Sequence, residues 1–373
     1  MPESDTPVFF RKIPNFAFKS IVEHHIIAMK VSYLQARVQS ISLHKVGNKM
    51  THEGIKLSKN CLNVQDDIKQ ILLQFFVGSF QTEETYRFFH DNDLSLNEVY
   101  HICSEIFAAP DKIHPQSIHL ARHLYNKSTH PKIKIGEFYV VYFRNCLIEH
   151  QLVDAIGLFK TENKDTFLKI YPKGDDFEIE SDKGINIKKL DKGCLVFNLE
   201  KEKGYVINIV DNTNKGIDAK YWTDEFLHIC PRKDNYQQTQ LMLSLCTSFV
   251  SQLPNEEGGK AQKATLINES LKALNEPSVN VQQFAQNVFQ KPELISQFHE
   301  YKKNYQQERQ VELDDTFQPN ITALKRKARG CMTTIKLDRH FDIQIHGGEK
   351  YIERGYDESR GLHYYKLFFK EEK

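Results

Sequence analysis

The sequence predicts an α+β fold: an N-terminal helical region, a central antiparallel β-sheet, a helical connector and a C-terminal β-meander. Three observations predict it. Apolar residues recur at intervals of three and four in the first third of the chain, they alternate with polar residues between residues 131 and 210, and both periods return after Pro254. The 373 residues, 40% hydrophobic and 27% charged, can form a folded core, and they exclude a wholly disordered chain.

Residues 1–130 are predicted to hold a hairpin followed by helices. The hairpin covers residues 36–59, where apolar and polar residues alternate on either side of Gly47-Asn48. Apolar residues spaced for one face of a helix then occur in three segments: 64–76, 94–108 and 115–125. The region is therefore expected to be mainly helical.

Residues 131–254 are predicted to form the central sheet. Five segments have the composition of strands: 132–143, 152–159, 166–171, 177–181 and 193–210. The last contains two strands around a charged turn at residues 200–204. Because the connections are too short for parallel crossovers, we expect an antiparallel sheet. An apolar helix face follows from residue 235, and Pro254 ends this helix, which is expected to close the sheet.

Residues 255–373 are predicted to form the helical connector and the β-meander. The linker-like sequence 255–259 precedes three helices, the last of which is polar and begins at Pro292. Four short strands should follow, at 332–337, 341–346, 349–354 and 362–369. Gly347-Gly348, between the second and third, is typical of a two-residue hairpin turn.

Composition limits the possible partners and locations. The chain has 50 lysines and arginines against 49 acidic residues, a net charge of +1, so any nucleic-acid binding must come from local clusters. Seven scattered cysteines without a CxxC pair, and a start that lacks the apolar core of a signal peptide, predict a cytoplasmic protein. No apolar run reaches the roughly 20 residues that span a bilayer, so no membrane partner is expected.

Basic side chains cluster at three places where phosphates could bind. The first cluster is Lys325, Arg326, Lys327 and Arg329, with Lys336 and Arg339 downstream. The second is Lys127, Lys132 and Lys134, where a predicted helix ends and a strand begins. The third is Arg11, Lys12 and Lys19, among phenylalanines near the N-terminus. For each cluster, a solvated surface without a ligand is the alternative.

Other chemistries have less support. The acidic run in residues 175–182, near Lys183, has the residue types of a metal-dependent nuclease, but its alternation also fits the solvated side of an edge strand. His119 and His123 have helical metal-ligand spacing, but no third ligand is indicated. The motifs of serine hydrolases and of nucleotide-binding loops do not occur. We therefore predict no catalytic residue, no metal site and no cofactor, and expect that the protein is not an enzyme.

Several phrases carry a family resemblance: "ISLHKVGNK" (41–49), "HLYNKSTHPKIKIGEFYVVYF" (123–143), "YWTDEFLHIC" (221–230) and the strands after Gly330. In this order they resemble the bacterial 37-kilodalton nucleoid-associated protein family, across roughly residues 36–370. The resemblance implies a cytoplasmic protein of the nucleoid that binds double-stranded DNA with little sequence preference. It transfers no catalytic or DNA-contacting residue to this chain.

Because each basic cluster is small, a homodimer that doubles the cationic contacts is expected. The main alternative function is a protein-interaction module in a chromosome-maintenance or phage-defence complex. Its contacts would be the phenylalanine-rich N-terminus and the polar helix after Pro292.

Overall fold

A computed structural model describes residues 31–80, 83–213, 221–254, 259–328, 334–337, 341–344 and 351–371. The chain divides into two compact units, Met1–Cys230 and Pro231–Lys373. The first unit contains a large sheet with helices on both faces. The second contains helices and short two-stranded sheets. This arrangement confirms the predicted α+β class.

The first unit contains strands β1 to β11, which begin and end as follows: Val31–Ser32, Arg37–Val46, Ile55–Lys56, Tyr86–Phe88, Gly136–Ile148, Gln151–Thr161, Asp165–Lys173, Asp176–Gly184, Lys192–Phe197, Val206–Asp211 and Ile229–Pro231. Nine of these described strands form one sheet in the order β11-β4-β10-β9-β6-β5-β2-β3, with β1 beside β5. The neighbours β5–β6, β6–β9 and β9–β10 pair antiparallel, as predicted, and β2 also pairs antiparallel with β5. Strands β7 and β8 pair separately, as a two-stranded sheet.

Helices α1 (Asp66–Val77), α2 (Glu98–Ala108) and α3 (Ile113–Lys127) cover the two faces of this sheet. Strand β5 explains why both faces are buried: its alternate residues enter two different apolar clusters. Val140 packs with residues of α2 and α3, whereas Val141 packs with those of α1. A strand buried on both sides is a continuous apolar run, which is the pattern of residues 138–143.

The predicted N-terminal hairpin is present, but its first strand also extends the central sheet. Val46 of β2 pairs with Ile55 of β3, and residues 47–54 form the loop between them. The opposite edge of β2 pairs with β5 along most of its length. Strand β2 therefore belongs to the same sheet as the strands after residue 131.

The second unit contains helices α4 to α8: Asn235–Gln252, Gly259–Ala273, Val281–Phe289, Pro292–Arg309 and Ile321–Ala328. The prediction that the helix after residue 235 closes the central sheet is wrong. Its buried residues Met242 and Phe249 belong to the helical core of the second unit, with Phe284 and Phe298. The reason is that the neighbouring helices supply enough apolar surface to bury this face without a sheet.

Strands β12 to β17 of the second unit are Val279–Asn280, Thr316–Phe317, Thr334–Leu337, Phe341–Gln344, Ile352–Asp357 and Leu362–Leu367. The last four correspond in position to the strands of the predicted meander, but within the described residues they form two separate pairs, β14–β15 and β16–β17. The predicted turn at Gly347-Gly348 lies outside the described residues. No helix among the described residues is both long and apolar enough to cross a bilayer.

Candidate nucleic-acid interface

Three residues of the first basic cluster, Lys325, Arg326 and Lys327, lie on helix α8, which the sequence pattern did not reveal. Asn320 caps the start of this helix, where its Oδ1 accepts a hydrogen bond from the Ala323 backbone N–H at 2.8 Å. Ala323 and Leu324 are buried, and Leu324 packs in the helical core of the second unit. The following residues, Lys325, Arg326 and Lys327, are exposed in the last turn.

The geometry of α8 separates these three cations. Consecutive residues on a helix are about 100° apart, so Lys325 and Lys327 point in directions about 200° apart. Arg326 contacts its own unit, because its Nη1 donates a hydrogen bond to the Tyr236 hydroxyl at 3.2 Å. Cations at a helix C-terminus also stabilise the helix dipole. The run that is densest in the sequence is therefore not one continuous basic face.

The other cations of the first cluster and those of the third cluster fall outside the described side chains. Arg329 and Arg339 of the first cluster lie outside the described residues, as do Arg11, Lys12 and Lys19 of the third cluster. Lys336 belongs to β14, but its side chain is outside the described part of the chain.

The second cluster lies in the first unit, on and after the end of α3. Lys127 is half-buried in the last turn of that helix, and Lys132 and Lys134 are exposed in the connection to β5. Lys132 and Lys134 line a cavity of about 500 Å³. It lies at the end of the sheet where β5 and β9 begin and β6 and β10 end. Its size is typical of small-ligand sites.

Two further lysines of this cavity, Lys188 and Lys189, come from the connection between β8 and β9. We call the cavity with Lys132, Lys134, Lys188 and Lys189 the lysine pocket. Its other lining residues are almost all polar: Glu162, Asn163, Asp165, Asn186, Leu190, Asp191, Asn212 and Thr213. The sequence signal for the two missed residues was the pair "KK" directly before a strand. This pair becomes part of a cluster only when the sheet brings the two connections together.

The acidic side chains of the lysine pocket accept hydrogen bonds from its own walls. Asp191 accepts from the backbone N–H groups of Glu162 and Asn163, at 2.6 and 2.9 Å. Asp165 accepts from the Asn186 side-chain amide at 2.7 Å. The pocket therefore holds three carboxylates beside its four lysines, and the Lys134 ammonium itself donates to Asn163 Oδ1 at 2.8 Å.

Two fully buried lysines lie behind the pocket, on neighbouring strands. Lys160 of β6 and Lys192 of β9 are direct cross-strand partners, and both are 0% exposed. The Lys192 ammonium lies 3.0 Å from Asp211 Oδ1 and also donates to Thr213. The Lys160 ammonium lies 3.0 Å from Glu162 Oε1, and burial lowers its pKa although this carboxylate opposes the change.

Tyr221 connects the two buried lysines. Its hydroxyl donates to Glu162 Oε1 at 3.0 Å, and the ring centre lies 5.7 Å from the Lys160 ammonium and 5.4 Å from that of Lys192. Burial raises the pKa of this tyrosine, and Glu162 adds to the effect. Lys160 also donates to the Lys134 carbonyl at 2.9 Å. The buried network therefore holds the backbone of a pocket lysine in place.

The other candidate sites have structural explanations. The acidic residues of β8 lie in an exposed strand, where Glu178 pairs with Lys173 and Asp182 with Lys169 of β7, both at 2.8 Å. His123 is buried, and its two ring nitrogens contact Glu98 and the Phe226 carbonyl. Within the described residues, no group of three or more His, Cys, Asp or Glu side chains is arranged to hold a metal ion.

Comparison with known proteins gives one family. The family model NA37, described as nucleoid-associated protein YejK, matches residues 42–360. This range includes the whole lysine pocket and helix α8. A comparison with curated proteins gives no match.

Proposed function

This chain belongs to the NA37 family of nucleoid-associated proteins, and we propose that it binds double-stranded DNA, without catalysis, mainly through the lysine pocket. The observation that carries the proposal is the convergence of four lysines, from two connections distant in sequence, on one polar cavity. Neutralising phosphates and releasing their counterions provides most of the free energy of sequence-independent DNA binding. The pocket brings these four lysines to one cavity, where they outnumber its three carboxylates.

The lining also supports binding with little sequence preference. Leu190 is the one apolar residue among the twelve that line the pocket, and none is aromatic. The side chains of Asn163 and Thr213 donate to Asp191 and Asp211, so the lysines are the groups that suit phosphate oxygens, whereas reading base edges requires side chains that enter a groove. We therefore propose that the pocket contacts the DNA backbone.

The buried network serves this proposal by fixing the pocket before DNA arrives. Lys160 holds the Lys134 carbonyl, and Lys192 holds Thr213. Groups that are already placed lose less conformational entropy on binding. Lys325 and Lys327 of α8, and Lys127, are secondary contacts in this proposal.

The proposal includes a cytoplasmic location at the nucleoid and a homodimer, which presents two lysine pockets to one duplex. The alternative is a protein-interaction module, for which the exposed apolar hairpin β7–β8 is the supporting observation. That alternative predicts no retention of duplex DNA at physiological salt.

The test is DNA binding over a salt series. The slope of the logarithm of the DNA association constant against the logarithm of salt concentration is negative. Lys188→Ala combined with Lys189→Ala should make it shallower by up to about 1.8, because each phosphate that is no longer neutralised reduces its magnitude by about 0.9. The control is Lys201→Ala with Lys203→Ala. These exposed lysines lie between β9 and β10, at the opposite end of the strands from the pocket, and the change in charge is the same. An equal slope for both variants would remove the lysine pocket from the mechanism.

The same measurement separates the other contributions. Lys325→Ala with Lys327→Ala should change the slope less than the pocket variant, since these residues diverge on α8. A series with magnesium tests for cleavage. Intact DNA is expected, and divalent-dependent degradation that disappears with Glu178→Gln and Glu180→Gln would replace this proposal by the nuclease hypothesis.

A further inference from the structure

The hairpin β7–β8 has two unlike faces, both exposed. The pairs Leu168–Ser181, Ile170–Ile179 and Pro172–Phe177 lie on one face, because side chains alternate along each strand. Leu168, Ile170, Phe177 and Ile179 on this face are 62–73% exposed. The other face carries the pairs Lys169–Asp182 and Lys173–Glu178. The hairpin is thus an amphipathic arm whose apolar face is open to solvent.

An isolated two-stranded hairpin is marginally stable in water unless something packs on its apolar face. The charge of the arm limits what that can be. Residues 165–184 contain six acidic residues and three lysines, a net charge of −3. Nucleic acids and anionic lipids would be repelled. The occupant that fits both features is a protein surface that is itself apolar and places cations opposite acidic residues of the arm.

We propose that the occupant is the same hairpin of a second copy of this chain, packed face to face about a two-fold axis. A face can pack against its own copy only if the two-fold axis brings complementary side chains of the two copies into contact. An axis that lies between the two sheets, and crosses the strands at the Ile170–Ile179 pair, reverses the strand direction. It keeps β7 over β7 and β8 over β8.

This axis gives complementary contacts at every level of the arm. At the centre, Ile170 and Ile179 meet their own counterparts. One level outward, Leu168 lies over the partner's Pro172, and Phe177, the largest side chain of the face, lies over the partner's Ser181, the smallest. The register places each of these pairs two residues from the axis.

The ends of the arm also match in charge. Lys183 lies on the apolar face at the base of the hairpin, two residues beyond Ser181. Asp175 lies in the turn at the tip, two residues beyond Phe177. The two-fold arrangement therefore places Lys183 over the partner's Asp175, and Asp175 over the partner's Lys183. An arrangement with parallel arms would place like charges together at both ends.

This inference deepens the homodimer of the proposed function and does not depend on DNA binding. The experiment measures molar mass by light scattering across micromolar concentrations, without DNA. The full chain should be a dimer, and Ile170→Thr with Ile179→Thr should raise the dimer Kd by on the order of 100-fold, since central apolar contacts dominate small interfaces. Threonine retains the β-propensity of the strands. The control is Lys169→Thr with Glu180→Thr, a cross-strand pair on the charged face that leaves the net charge unchanged.

A cross-linking measurement keeps the inference testable if a variant misfolds. In a Cys61→Ser background, which removes an exposed thiol, Ile170→Cys should join two chains through a bismaleimide that spans about the 10 Å between packed sheets. Lys169→Cys, on the opposite face, should not.

The possible failures are distinct. A dimer that survives Ile170→Thr with Ile179→Thr overturns this interface and leaves the homodimer in place. A monomer at every concentration overturns both. Neither result bears on DNA binding, which the salt series measures separately.

Discussion

Replacing Lys160 by Met should destabilise the first unit by about 3 kcal/mol. Lys160 is 0% exposed, and the side chain of its partner Glu162 is 5% exposed, so removing the ammonium leaves a largely buried carboxylate without its cation. Breaking a buried ion pair from one side costs about 3–5 kcal/mol. The lower end applies here, because the Tyr221 hydroxyl still donates to Glu162. A loss of this size lowers Tm by about 6–12 °C for a unit of this length.

The assay is denaturant unfolding followed by the fluorescence of Trp222, the one tryptophan in the sequence, which is fully buried in the first unit. Its signal reports this unit even if the second unfolds separately. Two variants complete the measurement. Lys160→Met with Glu162→Gln should recover most of the loss, since no buried charge remains. Lys164→Met removes an exposed partner of Glu137 and should cost less than about 1 kcal/mol. If Lys160→Met costs no more than Lys164→Met, the buried pair does not hold the pocket in place.

Two further predictions concern the sheet of the first unit. His44 is 2% exposed, and burial, followed by the nearby His114, lowers its pKa from 6.5 to about 4. Because the unfolded chain binds the proton first, stability should fall as pH decreases from about 6.5 towards 4, by about 2 kcal/mol after allowance for solvent screening. His44→Gln should remove this part of the pH dependence. If the free energy of unfolding changes between pH 7 and 5 as much in the variant as in the original protein, His44 is not the responsible group. Gly136→Ala should lower the free energy of unfolding by several kcal/mol, because a Cβ at this position would lie 1.9 Å from the Thr161 carbonyl oxygen. Gly174→Ala meets no atom within 4 Å and is the control for loss of glycine, although its positive φ adds a small strain.

Local pattern was sufficient for most of the long strands and helices, though not for helix α8, and it did not predict the way they assemble. The alternation of residues 36–46 predicted a strand, yet nothing local indicated that this strand would pair with β5, because pairing partners are chosen by surfaces distant in sequence. Helix α4 was correctly expected from its apolar spacing. Its packing partner was not, since the same apolar face fits a sheet or a group of helices.

The basic sites show the same limit more clearly. The run at Lys325 to Lys327 is the densest in the sequence, but a helix turns its members in different directions. Lys132 and Lys134 looked weaker, yet they lie beside Lys188 and Lys189 because antiparallel strands return their connections to one end of the sheet. Charge density along a chain therefore does not by itself predict charge density in space.

Because β5 is buried on both faces, hydrophobic burial alone does not protect this strand from a shift in register. When one face of a strand is exposed, a slip by one residue is penalised because apolar side chains enter water. In β5 a slip would exchange Phe138, Val140 and Tyr142 for Tyr139, Val141 and Phe143, two sets of nearly equal size and polarity.

The safeguard must therefore come from features that tolerate no displacement. One is Gly136, since a Cβ at its position, beside the Glu137–Thr161 pair, would collide with the Thr161 carbonyl oxygen. Another is the Tyr142 hydroxyl, which donates to Asp154 at 2.9 Å. A third is the irregularity in the β5–β6 pairing between Phe143 and Cys146. These features fix the register of a strand whose composition alone would fit two registers.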